Sequence, residues 1–181
     1  MRIAIITLGI LLLPPMSIAA PISRQIDIST EIDKNKFSLG EFMDVRFVPD
    51  SLVAVFDRDA GSFRDLTTNM SVITSLPISE ANSGFSVLLN ENNISCFDGN
   101  NTAVTLTPAP DTDVYGFAKL RIDGISLPIG SSVPIPEFNI INNGFFEGYY
   151  PVNISFSALS ASHLDAGKCS GNISVRVEFN I

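Results

Sequence analysis

The chain has 181 residues, with 19 acidic side chains against 11 basic ones and a formal charge of −8. That length suits one domain with a real core. The acidic balance excludes the basic footprint that binding to nucleic acid or anionic lipid requires.

The first element, 1–19, reads as a secretory signal peptide. Arg2 supplies the basic start, Ile3 to Leu13 the apolar stretch, and Ser17-Ile18-Ala19 the small-x-small cleavage pattern, with the cut placed after Ala19. The apolar run is short for a bilayer span, and Pro14 and Pro15 close it. The product is therefore expected to be exported.

Beyond the leader the recurring signal is period two, with no sustained helical stripe. Strands are expected near Ile26–Ile32, Met43–Val48, Leu52–Phe56, Met70–Leu76, Phe85–Asn90, Ala103–Leu106, Ala118–Ile122, Ile125–Leu127, Tyr149–Ala158 and Asn172–Ile181. Turn-formers such as Asp59-Ala60-Gly61, Asp98-Gly99-Asn100, Asp123-Gly124 and Asn142-Asn143-Gly144 separate them. Many short strands at this spacing predict an all-β fold: a single immunoglobulin-like antiparallel β-sandwich.

The two end strands alternate most regularly. Ile26, Ile28, Thr30 and Ile32 interleave with Gln25, Asp27, Ser29, Glu31 and Asp33, and Ile173, Val175, Val177, Phe179 and Ile181 with Asn172, Ser174, Arg176, Glu178 and Asn180. Alternation alone fits an ordinary half-buried strand equally well. Cys96 and Cys169, in an exported chain, read as one disulfide closing a 73-residue separation, the alternative being two free thiols.

Little in the sequence carries chemistry. The single histidine, His163, lies among hydroxyls in Ser160-Ala-Ser-His-Leu-Asp165 without a nucleophile-elbow motif, and reads as a loop residue. Asp57-Arg58-Asp59 and Asp111-Thr112-Asp113 lack calcium-loop spacing and read as surface turns. Asn-x-Ser/Thr triplets begin at Asn69, Asn93, Asn100, Asn153 and Asn172, a chance yield in a chain so rich in Asn and Ser. No enzyme, metal or cofactor is expected. Phe145, Phe146, Tyr149 and Tyr150 are left open between core, inter-subunit seam and receptor contact.

Three stretches carry a resemblance: Gln25-Ile-Asp-Ile-Ser-Thr-Glu-Ile-Asp33, Leu120-Arg-Ile-Asp-Gly-Ile-Ser-Leu127, and Ala166-Gly-Lys-Cys-Ser-Gly-Asn-Ile-Ser-Val-Arg-Val177, with Val45-Arg-Phe-Val-Pro49 as a strand-then-Pro step. Together they resemble the alpha-clade, or colonization-factor type, chaperone-usher pilins of Gram-negative bacteria. The resemblance spans most of the mature chain in layout and is specific at its ends. It implies a sandwich missing its last strand, whose open groove accepts an extended segment by β-strand addition.

Carried onto this chain, residues 20–33 would be a donor-strand extension and 34–181 the pilin domain. Ile26, Ile28, Thr30 and Ile32 would be the donor side chains, with Thr30 the small one; Ile173, Val175, Val177, Phe179 and Ile181 would line part of the acceptor groove. The implied partners are other copies of the same or related subunits, a periplasmic chaperone, an outer-membrane usher and a host receptor, and the implied location is a cell-surface fimbrium reached through the periplasm. Two features depart from the pattern: the cysteine pair, and Asn180 where other pilin clades carry an aromatic. They leave open a shaft or a minor subunit, and also a tip adhesin or a self-contained secreted binding module.

Overall fold

The structure is a computed structural model that describes residues 23–32, 42–106, 113–159 and 168–180. Its strands are β1 (Ser23–Ile32), β2 (Phe42–Val48), β3 (Ser51–Asp57), β4 (Ser62–Phe63), β5 (Leu66–Pro77), β6 (Phe85–Phe97), β7 (Ala103–Val104), β8 (Ala118–Ile122), β9 (Ile125–Ser126), β10 (Ser132–Ile135), β11 (Ile140–Asn142), β12 (Phe145–Phe156) and β13 (Lys168–Phe179). They form two facing sheets. The larger runs β10-β6-β13-β1-β3-β4 with β7 beside β6, and the smaller runs β2-β5-β12-β8-β9 with β11 beside β12.

Period two decides which face each strand buries. Along β5, Thr68, Met70, Val72, Thr74 and Leu76 point inward, and along β12, Phe146, Tyr150, Val152 and Ile154 do the same. Phe145 and Tyr149, one position off that phase, are 40% and 44% exposed, so the four aromatics divide evenly between core and surface. Two hairpins turn on residues with positive φ, Asp123-Gly124 between β8 and β9 and Asn143-Gly144 between β11 and β12. These are the short Asx-Gly turns whose twist matches paired strands.

One end of the core is aromatic. Phe42 at the start of β2 stacks on Phe179 at the end of β13, with ring centroids 4.0 Å apart, and Phe85 and Phe138 complete the cluster. Tyr150 joins it while its hydroxyl donates to the Glu137 carbonyl at 2.8 Å, and burial pushes its phenol far above the ordinary range. Asn180 ties the same end to β6: its amide donates to the Ser83 carbonyl at 3.0 Å and its side-chain oxygen accepts from the Ser86 hydroxyl.

Asp57 caps its own turn, accepting the backbone N–H groups of Asp59 and Ala60 and the Arg64 guanidinium. The Ala60 amide is the chief reason its carboxyl lies below the usual carboxylate range. His163 and Asp111 lie outside the described residues, while Asp113 accepts the Tyr115 amide at 2.9 Å and sits 3.8 Å from Lys119.

Candidate functional site: the slot between β3 and β13

The strand order identifies the position that matters. In an immunoglobulin-type sandwich six strands in chain order, A to F, occupy A-B-E-D in one sheet and C-F in the other, with a seventh, G, antiparallel beside F. Here β2, β5, β6, β8, β12 and β13 fill A to F in that order: the smaller sheet reads A-B-E-D, and β6-β13 reads C-F.

Strand A changes sheets partway. The chain runs down β2 against β5, turns at Pro49, whose carbonyl accepts the Thr68 hydroxyl at 2.7 Å, and continues as β3 in the larger sheet. The slot between β13 and β3 is therefore the G position. It is occupied by β1, a strand from upstream of A, and β1 runs parallel to β13, whereas the other pairs of named strands among the described residues are antiparallel.

Residues 20–33 are the segment read from the sequence as a donor-strand extension ahead of a domain of 34–181. In the single chain, Ser23–Ile32 lies as a middle strand of the larger sheet. The physical reason is that a bare slot would leave the edges of β3 and β13 unpaired and their apolar faces wet, and the nearest alternating segment is the chain's own.

The slot is built from both walls. On β13, Ile173, Val175 and Val177 are fully buried, Phe179 is half-buried against Phe42, and Ile181 lies outside the described residues. The other wall, Leu52, Ala54 and Phe56 of β3, is also buried. Sequence reading recognised that strand without seeing that it faces the C-terminal one, because nothing local marks which strands become neighbours.

Between the walls, Ile26 and Ile28 are each 4% exposed. Cross-strand neighbours pair Ile28 with Ile173, Thr30 with Val175 and Ile32 with Val177. The Thr30 hydroxyl donates to the Val45 carbonyl of β2 across the sandwich, so its small polar side chain is used as a tie. On the wet face Asp27 accepts from Gln25 at 2.9 Å and from Ser51 at 3.3 Å.

At the other end of the slot Ile26 lies opposite Gly171. A Cβ on Gly171 would stand 2.6 Å from the Ile94 side chain and 2.8 Å from the Asn93 carbonyl, so only glycine lets β13 lie this close to β6. Two residues earlier, Cys169 lies directly opposite Cys96, and the two form the disulfide.

The arrangement defines an immunoglobulin-type β-sandwich whose seventh position is supplied by an N-terminal strand. No protein-family model matches the chain, and no curated protein matches it in sequence.

Proposed function

We propose that the chain is a structural subunit of a surface fimbria, assembled by the chaperone-usher route through donor-strand complementation and used for adhesion. The observation that carries this reading is the occupant of the G position, an upstream strand inserted in parallel.

Strand polarity and chain length together support it. In this chain Ile32 and Phe42 belong to the same end of the sandwich, and the nine residues 33–41 join them. At ~3.3 Å per residue β1 is about 33 Å long, and a nine-residue link stretched to its limit spans about the same. An antiparallel β1 would carry Ile32 to the far end and leave that link no slack. Inserted into a second copy, β1 is free of this restraint and can run antiparallel to β13, restoring the complete immunoglobulin order. Each exchange leaves the donor's own slot for the next copy, so the contact is head-to-tail and propagates.

The side chains set the scale. Ile26 and Ile28, the donor residues described as buried, contribute about 3–6 kcal/mol of gross burial, before backbone hydrogen bonds and ordering costs. Withdrawing β1 exposes that surface and opens two strand edges, so the closed monomer should exchange slowly and the assembled form should persist kinetically.

The closed slot also favours a second reading, a self-contained secreted immunoglobulin-like binding module. Concentration separates the two. Purified residues 20–181, held at 37 °C over a hundredfold concentration series, should convert from monomer to linear multimers visible by electron microscopy, faster at higher concentration. A monomer unchanged across that series supports the self-contained module.

A further inference from the structure

Away from the slot, the outer face of the smaller sheet carries a cleft of ≈ 460 Å³. That is within the range of small-molecule sites. Strand register assembles it from residues distant in sequence. Asn153 on β12 lies opposite Thr67 on β5 and opposite Arg121 on β8, so the three form one row across three strands. The next row along places Pro151 opposite Asn69, with Val48 of β2 beyond it, and the row after that presents Tyr149.

Of the polar members, Thr68 is tied to the Pro49 carbonyl, and three others are unengaged. Among the described residues the side chains of Thr67, Asn69 and Asn153 have no hydrogen-bond partner. The Arg121 guanidinium meets no carboxylate there, and its Nε approaches only the Ser126 hydroxyl, at 3.3 Å. No acidic side chain lines the cleft. A guanidinium without a contacting carboxylate thus lies beside two free amides.

The geometry points to a saccharide-binding cleft that takes a sugar bearing a carboxylate. Rows in a sheet lie ~7 Å apart and strands ~4.8 Å apart, so the three-strand row and its neighbour cover the footprint of a sugar ring with its substituents. Primary amides and a hydroxyl each offer donor and acceptor to vicinal hydroxyls. The guanidinium fork matches a carboxylate in bidentate fashion. Exposed Pro151 and Tyr149 provide the apolar surface on which a ring's C–H face rests.

Other ligand classes fit less well. β5 and β12 are paired on both sides here, so no strand edge is offered to a peptide, and one cation is too few for a polyphosphate.

The test uses the full exported protein and soluble oligosaccharides ending in a carboxylated sugar, each paired with its carboxyl-reduced form, with binding read by NMR titration. An open cleft with few contacts should bind with a Kd of about 1 mM. Carboxyl reduction and Arg121→Gln should each weaken binding at least tenfold, and together no further. Asn153→Ala should weaken the acidic and reduced forms alike. Both variants lie on the outer face, and an unchanged urea midpoint shows that they are folded. Equal binding of the reduced sugar, indifference to Arg121→Gln, or no binding by any sugar at 10-fold the expected Kd overturns the assignment. Because the slot is untouched by these variants, polymer formation by them is independent of either outcome.

Discussion

Replacing Ile28 with aspartate should abolish assembly. Ile28 is 4% exposed, opposite Ile173 in the middle of the slot. Losing its side chain forfeits about 1.5–3 kcal/mol of burial, and a carboxylate in its place adds a desolvation penalty of several more. A total of about 5 kcal/mol is comparable to the whole stability of a small domain. The substituted strand therefore fills neither its own slot nor that of a second copy, and the variant should unfold at much lower urea than the parent and form no fibres. Ser29→Asp supplies the parity control: Ser29 is exposed, so the same charge one residue along should change stability by less than ~0.5 kcal/mol and leave polymers intact. Electron microscopy and urea unfolding of the two variants check this; fibres of normal length from Ile28→Asp would refute the assignment of β1 as donor.

The second large effect is expected from the disulfide. Cys96 and Cys169 are direct neighbours across β6 and β13 and are separated by 73 residues in sequence. In the chain-entropy description a loop of that size stabilises the fold by about 4 kcal/mol. Changing both residues to alanine should lower the melting temperature by on the order of 10 °C in a chain of this length. The loss bears on the slot directly, since Cys169 precedes by two residues the glycine that faces Ile26. Calorimetry of the double variant against the parent decides the matter: no shift would mean that the bond contributes nothing in solution.

Much of the fold was legible because period two is a local signal. β2, β3, β5, β8 and the core of β13 begin or end within a few residues of their expected positions. The misses have specific causes. β10 contains Pro134, which reads as punctuation, yet among the described residues β10 is an outer strand paired on one side with β6, and an outer strand tolerates a proline. β11 is three exposed residues.

β6 runs on to Phe97, beyond the expected end at Asn90, through the polar stretch Asn90-Glu91-Asn92-Asn93. Asn92 is buried there, its amide nitrogen donating to the Tyr115 and Ala118 carbonyls, and an asparagine tied down by tertiary partners looks in sequence like a turn. β13 starts at Lys168 because Gly171, which suggests a turn, is instead a point of close approach to β6.

The site was legible in its parts and not in its assembly. Alternation names Ile26 and Ile28 as apolar-face residues, but a period of two is the same read in either direction, so strand polarity is invisible to it. Polarity here follows from the length of the link to β2, and the identity of the opposite wall follows from the sheet switch at Pro49. The outer cleft is less legible still: Arg121, Asn153 and Thr67 share nothing in sequence and meet only through register.

Donor-strand exchange requires that the slot accept β1 from another molecule. A chain beginning at Lys34, with its disulfide intact, should aggregate when refolded alone and become a stable monomer on addition of a synthetic peptide spanning Arg24 to Asp33. The same peptide carrying Ile28→Asp should have no effect. If the shortened chain instead folds by itself into a stable monomer that ignores the peptide, β1 is an accessory strand and the fibre reading is wrong.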